Sequence, residues 1–242
     1  MSPANTIHHS SFIYNQLKIL NVCKFYSNRV INHLMSILIS IFISGYPGKT
    51  TDFAKNSSCH RTTIAHFLNS GKWDDSLLTD TLKRSVIEII YSEASRTGKP
   101  VFCIVDNTIA SKTKPSSRAL HPIEDAYFHQ SHLKEKQDYG HQAVAVLLSC
   151  YVCRWSIEVF FRQSKDKLAL GRYQIRSAQG IRRYWLLMSL AHYICVTGTG
   201  EFCSFENGYH RICDTIQQEQ YRDLFQCARE SNDFDSFTKL AV

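Results

Sequence analysis

The sequence predicts an α/β chain in which an all-α N-terminal region precedes a shorter segment that carries the strands. Three observations lead there. Apolar residues recur at helical spacing through residues 1–98, two short β-branched apolar runs stand between polar stretches at 101–106 and 142–150, and helical spacing resumes at residue 151. With 242 residues, 44% of them hydrophobic, the chain has material for one large domain or for a medium domain with a small appendage. The expected division is a helical region over 1–98 and a second domain over 99–242.

In chain order, the first strong element is LMSILISIFI at 34–43. It is shorter than the roughly 20 residues a membrane span needs. Asn32, Ser36, Ser40 and Ser44 repeat every four residues, which predicts a buried helix with one narrow polar stripe. Polar and basic residues precede it, unlike a signal peptide, so the chain is expected in the cytoplasm and away from membranes. TDFAKNSSCHRTTIAHFLNSGKWD at 51–74 follows. A short helix with Phe53 and Ala54, a turn around Ser57 to Cys59, and a second helix burying Ile64, Phe67 and Leu68 would make a helix-turn-helix closed by Gly71. Arg61, Thr62, Thr63, His66 and Asn69 would then lie at the start or outer face of the second helix, where recognition helices meet DNA. An αα-hairpin that only packs has the same pattern. A further helix begins near Asp74 and Asp75, carries Leu78, Leu82, Val86 and Ile90 at four-residue steps, and stops at SRTGKP.

VFCIVD at 101–106 and QAVAVLLSC at 142–150 read as buried strands. The 34 mostly polar residues between them, 107–140, exceed an ordinary connection and read as a functional or mobile loop. Asp106 ends the first strand, a position that suits an oxygen ligand for a hard cation and equally a turn or cap residue. Nine scattered cysteines read as reduced thiols, and the Cys150/Cys153 pair, with no second pair nearby, as two buried thiols rather than zinc ligands. Twenty-eight Lys and Arg against 21 Asp and Glu give +7, which favours an anionic partner. GRYQIRSAQGIRRYW at 171–185 reads as a basic connector.

YVCRWSIEVFFRQSK at 151–165 carries the sharpest pattern. At roughly 100° per residue, Tyr151, Arg154, Glu158 and Lys165 share one helix face. One reading is an Arg-Glu pair on a solvated face, and the other is an acidic metal ligand flanked by phosphate-holding cations. The spacing Tyr-(2)-Arg-(3)-Glu-(6)-Lys, together with VDNT at 105–108 and the helical block containing RTTIAHFLNSGKWD, resembles one large group of bacterial insertion-sequence DDE transposases. The resemblance covers most of the chain. It implies a ribonuclease H-like core in which two Asp and one Glu hold two Mg²⁺ ions for phosphodiester chemistry. Asp106 and Glu158 carry over as catalytic residues and metal ligands. Tyr151, Arg154 and Lys165 carry over as contacts to phosphates. Arg172, Arg176, Arg182 and Arg183 extend that track or form a solvated basic face. The implied partner is double-stranded DNA at insertion-sequence ends, with a homo-oligomer or a mixed oligomer with an intact transposase.

The sequence also departs from that group. Only 52 residues separate Asp106 from Glu158, leaving no room for the further strands and the second catalytic Asp. Glu124, Asp125, Glu135 and Asp138 fall in the polar stretch, and Asn107 stands where many relatives carry another acid. The expectation is an internally deleted chain with an incomplete ribonuclease H-like core, an open sheet edge and uncovered apolar surface. By family it is a DDE transposase for cleavage and strand transfer, catalytically impaired through loss of the second Asp. The alternative is a DNA-binding remnant that inhibits an intact relative.

Overall fold

The computed structural model describes residues 10–43, 48–55, 57–119, 122–131, 135–149, 155–198, 200 and 202–230. In chain order these hold α1 (Ser11–Ile19), a 3-10 turn (Val22–Lys24), α2 (Asn28–Ile43), α3 (Thr50–Lys55), α4 (Arg61–Asn69), α5 (Asp75–Thr97), β1 (Phe102–Ser111), β2 (Tyr127–Ser131), β3 (Lys136–Ser149), α6 (Trp155–Lys167), α7 (Ala178–Thr197) and α8 (Phe205–Glu230). The chain is a mixed α/β protein, and the sheet among the described residues is antiparallel in the order β1-β3-β2.

The most apolar run becomes the central helix, with eleven of the sixteen α2 residues buried. The polar stripe is self-satisfied, because Ser36 Oγ donates to Asn32 O at 2.9 Å and Ser40 Oγ to Ser36 O at 2.8 Å. Back-bonding of this kind lets a hydroxyl enter an apolar core without water. Ser44 lies outside the described residues. α7 and α8 close around α2, and the Cys213 thiol donates to Phe42 O at 3.1 Å. At Gly208 a Cβ would stand 1.7 Å from Cys195 O, so only glycine lets α7 and α8 approach this closely. One core joins Ile37 and Leu38 of α2, Ile64 and Leu68 of α4, Leu187 and Ile194 of α7, and Ile212 of α8. Helices from before residue 98 and after residue 155 therefore share it. The start of α1 also meets α8. Glu219 accepts from Ser10 Oγ at 2.6 Å and from the Phe12 amide at 3.0 Å.

α5 begins and ends where its caps predict. The Asp74 carboxylate accepts from the Ser76 and Leu77 amides, and Gly98 adopts φ 68° past the last turn. Of the predicted apolar stripe, Leu78 and Leu82 are buried, but Val86 is exposed because the second half of the helix runs beyond the core.

The sheet corrects two expectations. The stretch 107–140 is not one loop, since β1 continues to Ser111, β2 lies inside it and β3 starts at Lys136. Backbone pairing carries the ladder past the apolar runs, with Asn107 opposite Val144 and Ser111 opposite Gly140. A strand partner from elsewhere in the chain overrides local polar composition. Nor are the strands buried on both faces. Ile104, Asp106, Thr108 and Ala110 share the inner face with Leu147, Ala145, Ala143 and His141, while Cys103, Val105 and Asn107 face outward with Leu148, Val146 and Val144. Val105, Val144 and Val146 are each 63% exposed. The predicted basic connector is corrected as well. α7 starts at Ala178 within it, and Tyr173 and Ile175 are core residues. No helix among the described residues is long and apolar enough to cross a membrane.

Candidate nucleic-acid interface

α4 forms because RTTIAHFLN places Ile64, Phe67 and Leu68 on one buried stripe, while His60 caps its start. The His60 ring accepts from the Thr62 amide and lies 2.9 Å from the Thr62 hydroxyl. Arg61 and Thr62 are exposed at this end, and Thr63 is half-buried behind them. α3 packs against α4 with Phe53 buried, so the two helices form a packed pair. The opposite end of α4 is fixed inside the protein. Gly71 closes it, its amide 2.7 Å from His66 O, where a Cβ would meet Phe67 O at 2.8 Å. Asn69 does not reach outward. Its Oδ1 accepts from Ser177 Oγ at 2.7 Å, the residue that caps α7.

Arg183 anchors the same end and corrects an expectation, for it is 2% exposed and is not part of a surface track. Its guanidinium donates to Phe67 O at 3.1 Å, Leu68 O at 3.2 Å and Trp73 O at 3.0 Å, and it pairs with Asp75 Oδ1 at 3.0 Å. It also lies 4.6 Å from the Trp73 ring centroid, and that ring stacks on Phe67 at 5.0 Å. Helix C-terminal carbonyls lack intrahelical donors, and a buried arginine supplies several at once. Arg172, Arg176 and Arg182 remain exposed. The segment bearing the first two is pinned beside the helix pair, with the Gln174 amide donating to Gly48 O at 2.6 Å.

Two polar residues that the sequence reading passed over, the half-buried Lys112 and the buried His141, hold that segment to the sheet. Lys112 Nζ donates to the carbonyls of Gly171 and Tyr173 and stands 3.4 Å from the Tyr173 ring centroid. Burial lowers its pKa to about 8. His141 bonds through its ring nitrogens to Glu124 O at 2.8 Å and to the Tyr173 hydroxyl at 2.9 Å, and burial pulls its pKa down. The sequence signal for both was a lone polar residue at the inner-face period of a strand or at its end.

The two halves of the acidic pattern lie on adjoining elements. α6 packs against β1, and Lys165 Nζ donates to Thr108 Oγ1 at 2.6 Å. α6 buries Ile157, Phe161 and Ser164, with Leu168 buried just past its end, and its Phe160 meets His192 of α7 at 4.9 Å, which in turn stacks on Phe205 of α8 at 4.8 Å. Thr108 and Asp106 occupy the same face of β1, and Lys165 and Glu158 the same face of α6, two turns apart. Asp106 is half-buried, and its Oδ1 accepts from the Asn107 amide at 2.8 Å, while Glu158 is exposed. Tyr151, Arg154 and the Cys150/Cys153 pair lie outside the described residues.

A third carboxylate does not join them. Asp138 lies within β3 rather than in a loop, which corrects its expected place, and bonds to Ser111 on the outer face. Asp106 stands opposite Ala145 on the inner face, seven residues and about 23 Å along the strand from Asp138. Among the described residues, no three His, Cys, Asp or Glu side chains converge as metal ligands. The described acids therefore do not fit a site for two Mg²⁺ ions. Comparison of the chain with protein-family profiles, with curated proteins and with solved structures finds no match.

Proposed function

We propose that this chain is a transposase-derived DNA-binding protein of the cytoplasm that holds double-stranded DNA without cutting it. The observation that carries the reading is the Lys165–Thr108 hydrogen bond, which seats the glutamate-bearing helix on the aspartate-bearing strand. Two separate sequence motifs of one family pattern thereby share one surface. The three strands with α6 across them are read as the remnant of a ribonuclease H-like core. Asp138 lies on the wrong face to complete the acidic set, which favours binding over catalysis.

DNA meets the exposed start of α4, where Arg61 and Thr62 stand at a helix N-terminus. Arg172, Arg176 and Arg182 extend the contact along phosphates. At an element's ends such a protein competes with an intact transposase for the same DNA.

The test is fluorescence anisotropy with labelled terminal DNA across a salt series, run beside a nicking assay with Mg²⁺ or Mn²⁺. The expected result is binding that weakens steeply with salt, no nicking, and a salt slope reduced by about one in Arg61→Ala. Nicking that disappears in Glu158→Gln would favour an active transposase instead. Absence of binding at low salt would remove the nucleic-acid reading altogether.

A further inference from the structure

Resting on the DNA-binding reading, we infer that Lys112 is a positioning residue that sets the strap 171–176 so that Arg172 and Arg176 meet one stretch of phosphates. It acts on DNA through the backbone it holds, without touching a phosphate itself. The strap alternates. Arg172, Gln174 and Arg176 are exposed, while Tyr173 and Ile175 between them are buried in the core. Two cations on one side of so short a segment can follow a phosphate backbone only if the segment is kept from turning over.

Lys112 supplies that restraint. Its Nζ donates to Gly171 O at 2.9 Å and to Tyr173 O, the carbonyls on either side of Arg172. Gly171, at φ 99°, makes the turn from which the strap starts. The Tyr173 ring packs against the same ammonium, and its hydroxyl bonds to the buried His141. The far end is held separately, because the Glu124 amide donates to Arg176 O at 2.9 Å and its carboxylate accepts from the Ala178 amide at 2.7 Å. Midway, the Gln174 amide bonds to Gly48 O, where a Cβ would stand 2.5 Å from Arg172 O. That contact sets the exposed Lys49, next in the chain, beside the two arginines.

A residue that only filled space here would not need an amine. Drawing an ammonium partly out of water is unfavourable, and the donors of this one go to carbonyls instead of a carboxylate. A methionine would occupy the same place without that penalty. Binding offsets it. A strap already ordered loses less freedom when DNA arrives, and the ammonium behind it adds to the positive field of the arginines.

Fluorescence anisotropy with a labelled random-sequence duplex of about 30 base pairs at about 50 mM salt tests this, because phosphate contacts are independent of sequence. Lys112→Met should weaken binding ~10-fold in the wild-type chain and again in Arg61→Ala. In Arg172→Ala/Arg176→Ala the same change should weaken it less than ~2-fold, since a residue that acts through the two arginines has nothing left to place. A general loss of structure would lower affinity equally in all three. Equal losses, or a Lys112→Met that binds as the wild type does, overturn the role of Lys112 and leave the DNA-binding reading standing. A wild type that does not bind overturns both. Circular dichroism checks that each variant is folded at the assay temperature. Lys112→Gln, one bond shorter and uncharged, takes the place of an unfolded Lys112→Met.

Discussion

Removing the Arg183 guanidinium takes a donor from three backbone carbonyls, of which Phe67 O keeps only the Trp73 Nε1 bond, and leaves Asp75 without its cation. Arg183→Met should lower the unfolding free energy by about 3 kcal/mol, the usual result of breaking a buried, multiply bonded charge pair. Arg182→Met, one position away and exposed, should stay within about 0.5 kcal/mol. Urea unfolding of the two variants side by side checks both, and equal losses would contradict the assigned role. The distinction was available in the sequence. Arg183 precedes Leu187 by four residues, Leu190 by seven and Ile194 by eleven, so it lies on the buried stripe of α7. Grouping both arginines with a phosphate track let charge outweigh periodicity. The place of Arg61 and Thr62 at an exposed helix start was readable from the sequence, because the capping and the apolar stripe of α4 are both local. Asn69 was misread, since its partner Ser177 is 108 residues away.

Whole elements depend on single close approaches in the same way. Gly208→Ala places a methyl group against Cys195 O, so α8 must move off α7 and away from the central helix. The expected loss is at least 1–3 kcal/mol, seen as a lower melting temperature by calorimetry, and an unchanged midpoint would show that α8 docks elsewhere. Elements whose ends are set locally were legible, such as α5 between Asp74 and Gly98. β2 was not. Tyr127–Ser131 lies in a polar stretch and is a strand only because β3 pairs with it. The faces of β1 and β3 were hidden for a related reason: VFCIVD and QAVAVLLSC are apolar at odd and even positions alike, so alternation could not separate inner from outer.

For the molecule as a whole, the shared core predicts one cooperative unfolding transition. A fragment of residues 1–98 should lack a cooperative melt, because Ile64 and Leu68 of α4 would lose the α7 residues that cover them. Calorimetry of the whole chain and circular dichroism of the fragment measure this. Two separate transitions, or a folded fragment, would place a domain boundary near residue 98. The meeting of Ser10 with Glu219 has a consequence for synthesis. α2 leaves the ribosome early, yet α8, which caps it at Phe42, follows some 170 residues later. At 5–20 residues per second the side of this greasy helix that α8 covers stays open for roughly 10–35 s. Through that interval its escape from aggregation depends on chaperones and the pace of translation rather than on its final stability.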